Sequence, residues 1–173
     1  MTMPYKLVIF DWEGTIVDSA GAILEYIVIA EKQSQSSKNT KIIKLVPDVL
    51  VLIELLFNMQ VFLAIASNKN YESLSKALEF MHLKKKFNTI RCAGQTAPKP
   101  CPQMLNEILI ELSISPNAAL MIGDSVQDIE MAKSINMDVI GIDIYQQNTH
   151  DLLVSGAMRV FNNYKDIIRF LSL

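Results

Sequence analysis

Cysteine and histidine are scarce in this sequence, with two of each among 173 residues. Cys92 and Cys101 lie near no histidine at metal-ligand spacing. They read as reduced thiols without a special role, and neither a disulfide framework nor a zinc site is indicated. His82 and His150 are solitary and read as surface side chains. An excess of one charge is lacking too: 16 Lys and Arg stand against 18 Asp and Glu, for a net charge of −2. The basic residues are dispersed, and the short run Lys84 to Lys86 reads as a solvated connection. Nothing draws the chain to nucleic acid or to an anionic membrane. No apolar run reaches the ~18 residues of a membrane span, and the opening residues MTMPYK lack the apolar centre of a signal peptide. The expectation is a cytoplasmic protein with neither a nucleic-acid nor a membrane partner.

Half of the residues are hydrophobic, enough for one domain over residues 1–173 with a sizeable core. There is no internal repeat and no linker. Short apolar runs at Leu7 to Phe10, Val61 to Ala66, Phe87 to Cys92, Ala119 to Ile122 and Asp138 to Ile142 read as buried strands, with Met158 to Phe161 as an edge strand. Helical spacing is read over Ala20 to Lys32, Pro47 to Asn58, Tyr71 to Met81, Pro102 to Leu112, Val126 to Ile135 and Tyr164 to Leu171, with a short helix near Asp151. Gln33 to Lys41 is polar and aperiodic. Strands alternating with helices predict an α/β fold: a doubly wound, Rossmann-like parallel sheet of five or six strands with helices on both faces.

In such sheets ligands bind beyond the carboxyl ends of the strands. Four strand ends, or loops after them, carry polar residues here: Asp11 with Glu13, Ser67 with Asn68, Lys99 between two prolines, and Asp124 with Asp128. Collected in one crevice, Asp11, Glu13, Asp124 and Asp128 form an oxygen-only donor set that calls for a hard divalent cation, Mg2+. Ser67, Asn68 and Lys99 beside them are suited to holding a phosphoryl group. A carboxylate can attack phosphorus to give an acyl phosphate, while a second carboxyl protonates the leaving group and then activates water. Asp11 fits the nucleophile and Glu13 the acid/base. Taken singly, each residue has a plainer reading: Ser67 as a helix cap, Lys99 as a loop lysine, Asp124 and Asp128 as acids at a helix start. Asp18 is assigned to turn and capping chemistry, and Trp12 to packing over the loop.

The four clusters resemble the motifs of the haloacid dehalogenase-like (HAD) hydrolases, in particular the phosphoglycolate-phosphatase-like branch. Asp11-Trp12-Glu13-Gly14-Thr15 is similar to the first motif, Ser67 in ASNK to the second, Lys99-Pro100 to the third, and Gly123-Asp124-Ser125 with Asp128 to the fourth, all in family order. The resemblance implies a Mg-dependent phosphatase working through an aspartyl-phosphate. It makes Asp11 the phosphoryl acceptor, Ser67 and Lys99 phosphate ligands, and Asn68 a phosphate contact through its backbone. The metal would take Asp124, the Asp11 carboxylate and the Glu13 main-chain carbonyl, with Asp128 close by or bridged through water.

Two departures stand out. Glu13 occupies a position where most phosphatases of the family have Asp, which moves the acid/base carboxyl by roughly 1 Å. Residues 19–58 hold only two helical patterns and the polar stub where relatives insert a helical cap, so the cap is read as reduced or missing. An open crevice admits a phosphorylated small molecule or a phospho-macromolecule, or calls for a homo-oligomer that covers the site. The alternative to the phosphatase is a catalytically weak phosphate- and metal-binding protein on the same scaffold. A receiver-type signalling domain is disfavoured by motif order, because its acidic pair comes first.

Overall fold

The computed structural model describes residues 3–18, 27–29 and 42–173. Its centre is β1 (Leu7–Phe10), four apolar residues that are all buried. β1 pairs in parallel with β4 (Phe62–Ser67) on one side and β6 (Ala119–Gly123) on the other. Beyond β4 lies β5 (Thr89–Cys92); beyond β6 lie β7 (Asp138–Ile142) and β8 (Val160–Phe161), giving the order β5-β4-β1-β6-β7-β8 with every pairing parallel. Because the order reverses about β1, the connections leave in opposite directions from its carboxyl end and open a crevice there.

Parallel strands buried on both faces alternate their side chains between two cores. Val8, Phe10, Leu63, Ile65, Leu120 and Ile122 face α1 (Val49–Asn58), α2 (Tyr71–Phe80) and α6 (Tyr164–Phe170). Leu7, Ile9, Ala64, Ala66, Ala119 and Met121 face α3 (Gln103–Leu112), α4 (Val126–Lys133) and α5 (Thr149–Val154). The doubly wound expectation therefore holds, and Lys84–Lys86 forms a 3-10 turn.

Beyond shifts of a residue or two at the ends of β5, α4 and β8, two departures from the sequence reading have a clear physical cause. Ile27–Ile29 is a strand, β2, pairing antiparallel with β3 (Ile42–Lys44), where helical spacing had indicated a helix. Three consecutive β-branched residues favour the extended chain over the helix and override the spacing. The rest of that pattern, Ala20 to Tyr26 and Ala30 to Lys32, and the polar stub Gln33 to Lys41 lie outside the described residues. α1 starts at Val49 and not at Pro47, because Asp48 turns into the left-handed region at φ 61°.

The carboxy-terminal helix α6 is stitched to the loop that follows β1. The fully buried Tyr164 hydroxyl donates to the Thr15 carbonyl at 2.8 Å, and burial holds the phenol well above its ordinary pKa. Tyr164→Phe leaves that carbonyl unsatisfied in the core, so a loss of about 1 to 2 kcal/mol is expected in urea unfolding, with the sheet retained by circular dichroism.

Candidate active site

All the strands of the main sheet run parallel, so their ends share one edge, and pairing register sets the height of each polar residue. Phe10 is level with Ile65 and Ile122. Asp11 thus emerges in the middle of the crevice, its backbone N–H donating to the Ile122 carbonyl at 2.9 Å. Asp124 follows the last residue of β6, and Ser67 is the last of β4. Lys99 arrives from the loop after β5, with a cis bond to Pro100. The Asn68 side chain accepts its backbone N–H at 2.9 Å.

Lys99 lies among the acids. Its ammonium is 2.5 Å from Asp11 Oδ1 and 2.5 Å from Asp128 Oδ1, all three side chains being almost wholly buried. Asp128 also closes the start of α4: its Oδ2 accepts from the Ser125 backbone N–H at 3.1 Å and the Ser125 hydroxyl at 2.7 Å. Asp128 is therefore both the helix-capping acid and a partner of the lysine. Asp11, Asp124 and Asp128 each offer a carboxylate oxygen within 4.8 Å of the others.

Three carboxylates against one ammonium leave two negative charges uncompensated. Two carboxyls are displaced accordingly. Burial pushes Asp11 up to about 7 against the pull of Lys99, with Asp128 and Asp124 adding to the rise. Asp124 is pushed up to about 6, by burial first and by Asp128 next. Burial opposes the charge on Lys99, but Asp11 and Asp128 outweigh it and raise its pKa. The donors are all oxygens, and the missing charge is that of a divalent cation, so the cluster fits one.

Gly14 keeps the first loop against this cluster. At φ 77° it adopts a left-handed conformation, and a Cβ built there would stand 1.9 Å from Asp124 Oδ2. Of the other expected residues, Ser67 is buried with its hydroxyl accepting from the Lys69 backbone N–H at 3.2 Å. The cap of α2 is Asn70, whose side chain accepts from the Ser73 N–H, so Ser67 is not the helix cap. Asn68 is exposed, and its amide donates to Gln127 at 3.4 Å. The Glu13 carboxylate is not gathered with the other three: its side chain is 54% exposed and pairs with Lys69 at 2.5 Å. Trp12 is packed in the core as expected.

Sequence reasoning missed three contacts. Asn68 fixes Lys99 through its side chain, and Lys69 partners Glu13, although both stand in the quoted ASNK. Asp18 is buried and accepts from the Tyr145 hydroxyl at 2.9 Å, a partner 127 positions away that no local pattern announces. A cavity of about 140 Å³ beside Asp124 is lined by Gly14, Asp18, Asp143, Tyr145 and Asn148 among others. The Asp143 carboxylate is used within its own loop, accepting from the Gln147 and Asn148 N–H groups and the Thr149 hydroxyl.

The family model of haloacid dehalogenase-like hydrolases matches residues 27–142, a span that includes Ser67, Lys99, Asp124 and Asp128 and begins after Asp11 and Glu13. The chain belongs to this family. A phosphoglycolate phosphatase of Psychrobacter arcticus is 29% identical over 111 residues, which make up 63% of this chain and 48% of that protein. The chain spans about half the length of the curated relatives it matches. Among solved structures, a HAD-superfamily hydrolase from Ehrlichia chaffeensis superposes with TM-score 0.75 at 22% identity, over 99% of this chain and 98% of that one. CbbY from Rhodobacter sphaeroides, solved in complex with phosphate, gives TM-score 0.75 at 15% identity over 98% and 100%. These superpositions establish a shared HAD fold.

Two predictions follow from the charge imbalance and from the glycine. Asp11 and Asp124 hold protons more tightly in the folded than in the unfolded chain, where 3.8 applies. Their contribution to stability is complete at low pH and is lost as pH rises through about 6 to 7. The metal-free protein should therefore melt lower at about pH 8 than at about pH 5.5, and magnesium chloride should restore most of the difference. Gly14→Ala forces a side chain into Asp124 and should lose about 1 kcal/mol from the backbone conformation alone. Its larger effect should be loss of the magnesium-induced rise in melting temperature, read by scanning calorimetry.

Proposed function

We propose that the chain is a magnesium-dependent phosphoric monoester hydrolase, phosphoglycolate-phosphatase-like, working through an aspartyl-phosphate. The observation that carries this reading is the cluster of buried Asp11 and Asp128 on Lys99 with half-buried Asp124 beside them, two positive charges short of balance. Family membership and the phosphoglycolate phosphatase relative support it. Mg2+ would be held by Asp11, Asp124 and the Glu13 main-chain carbonyl, with Asp128 nearby. When bound, it would supply positive charge to the transferring phosphoryl oxygens.

The chain's own residues divide the remaining work. Asp11 attacks phosphorus with a carboxylate oxygen, and the bond from phosphorus to the ester oxygen breaks. Glu13 gives its proton to that leaving oxygen; as the carboxylate it then takes a proton from water, which attacks phosphorus and releases Asp11. Lys99 holds the Asp11 carboxylate in place and offsets charge on the phosphoryl oxygens. The Ser67 hydroxyl and the Asn68 backbone bind phosphate. Asn68 also orients the Lys99 loop through its side chain. Before transfer, Glu13 has to leave Lys69 and turn inward.

The remaining features of the reading concern access. Of the 19–58 segment read as a reduced cap, α1 packs on the sheet and the part before it is too short for a full cap, so the substrate is a phosphorylated small molecule or phospho-macromolecule reaching an open crevice, or a second copy of the chain covers it. The outward position of Glu13 favours one alternative, a weak phosphate and metal binder on the same scaffold.

Release of phosphate from p-nitrophenyl phosphate with magnesium separates the two. Asp11→Asn should lower turnover at least ~10³-fold and Lys99→Met ~10²-fold or more, while Glu13→Asp should be unchanged or faster. A silent wild type switched on by Glu13→Asp identifies the binder, and hydrolysis that survives Asp11→Asn overturns the mechanism.

A further inference from the structure

α1 is apolar on both of its sides. Val49, Leu52, Ile53 and Leu56 are buried against the sheet, while on the outer side Val51 is 49% and Phe57 43% exposed. Its sequence VLVLIELLFN carries a single charge, Glu54. A surface helix normally turns polar residues outward, and one that is apolar all round is normally covered. Details of the outer side say what the cover is. At the amino end of α1, Leu45, Val46, Asp48, Leu50 and Val51 line a hollow of about 100 Å³. At the carboxyl end stands the Phe57 ring, with the Lys86 ammonium 4.5 Å from its centre. Between the two, Glu54 pairs with the same Lys86 at 2.8 Å.

Leu50, Glu54 and Phe57 follow at i, i+4 and i+7, so they run along one side of the helix. Hollow and ring are thus roughly 10 Å apart on a single row, with a balanced ion pair midway. A two-fold axis through the middle of that row lays a second α1 antiparallel on the first. Position 50 of each copy then meets position 57 of the other, and each hollow receives one aromatic ring. Both Glu54 side chains come to the axis, each attended by its own Lys86, so the four charges alternate in sign. A face with no net charge of its own offers nothing to a strongly acidic or basic partner, but it matches itself. We infer that the outer side of α1, with Lys86 at its margin, is the interface through which two copies of this chain pair. None of the residues assigned to chemistry takes part, so the inference is independent of the hydrolase reading.

Sedimentation equilibrium of the whole chain tests it. One helix face is at the small end of protein interfaces, so a dimer with a dissociation constant on the order of 10 μM is expected. Phe57→Glu and Val51→Glu should each weaken it at least ~10-fold, with the fold retained by circular dichroism. The charges give a sharper readout. Glu54→Lys puts four ammonium groups at the axis and Lys86→Glu four carboxylates, so each variant alone should be monomeric. An equal mixture of the two should form a mixed dimer, although the Glu54–Lys86 pair within each chain stays broken. Recovery on mixing is therefore not explained by a contact inside one chain. A wild type still monomeric at about 300 μM overturns the inference and leaves the face to another partner. So does a dimer that Phe57→Glu leaves intact, which would use a different surface, and so does a mixture that stays monomeric.

Discussion

Gathering three carboxylates, two buried and one half-buried, beside a single ammonium is the constraint on which the rest of this molecule depends. Desolvated charge is among the costliest things a fold can contain, and a buried acid is tolerated only when it is paired, protonated or bound to a cation. Here all three remedies meet in one place. Lys99 pairs with two of the acids, the proton affinity of Asp11 and Asp124 rises, and the unmet charge equals that of a divalent ion. The scaffold keeps the acids from moving apart. Asp11 is fixed by β1 and Asp124 by β6, the two central strands. Asp128 is locked by the capping box that starts α4.

The same constraint explains the small residues around the cluster. Gly14 lets one loop lie directly on the Asp124 carboxyl, and at Gly123 a built Cβ would stand 2.5 Å from the Asp128 side chain. Packing this close leaves little room for the acids to relax, so their mutual repulsion persists for a ligand to relieve. Outside the cluster the geometry is looser. Glu13 and Lys69 face solvent, where water screens them and movement is cheap. A tightly packed charged interior with a solvent-facing polar rim is in keeping with the phosphatase proposed above.

Much of this was legible in the sequence. Buried parallel strands announce themselves as short β-branched runs, and the doubly wound order places their ends together, which is how Asp11, Lys99, Asp124 and Asp128 come to one crevice. What could not be read were contacts set by side-chain direction or by distant pairing. Glu13 shares its motif with Asp11 but points the other way. Tyr145 reaches Asp18 across 127 positions. Ile27–Ile29 matched a helical spacing, yet three β-branched residues opposite Ile42 and Ile43 made a better strand. Spacing describes which residues can share a face; it does not say whether an extended partner competes for them.

The bond from Tyr164 to the Thr15 carbonyl ties together segments 149 positions apart. The loop carrying the first motif is also held from β6 and β3, through the Ile122 and Lys44 carbonyls, and α6 follows both in the chain. Contacts of such long sequence separation are slow to form. The sheet can therefore come together before the loop that follows β1 is fully braced.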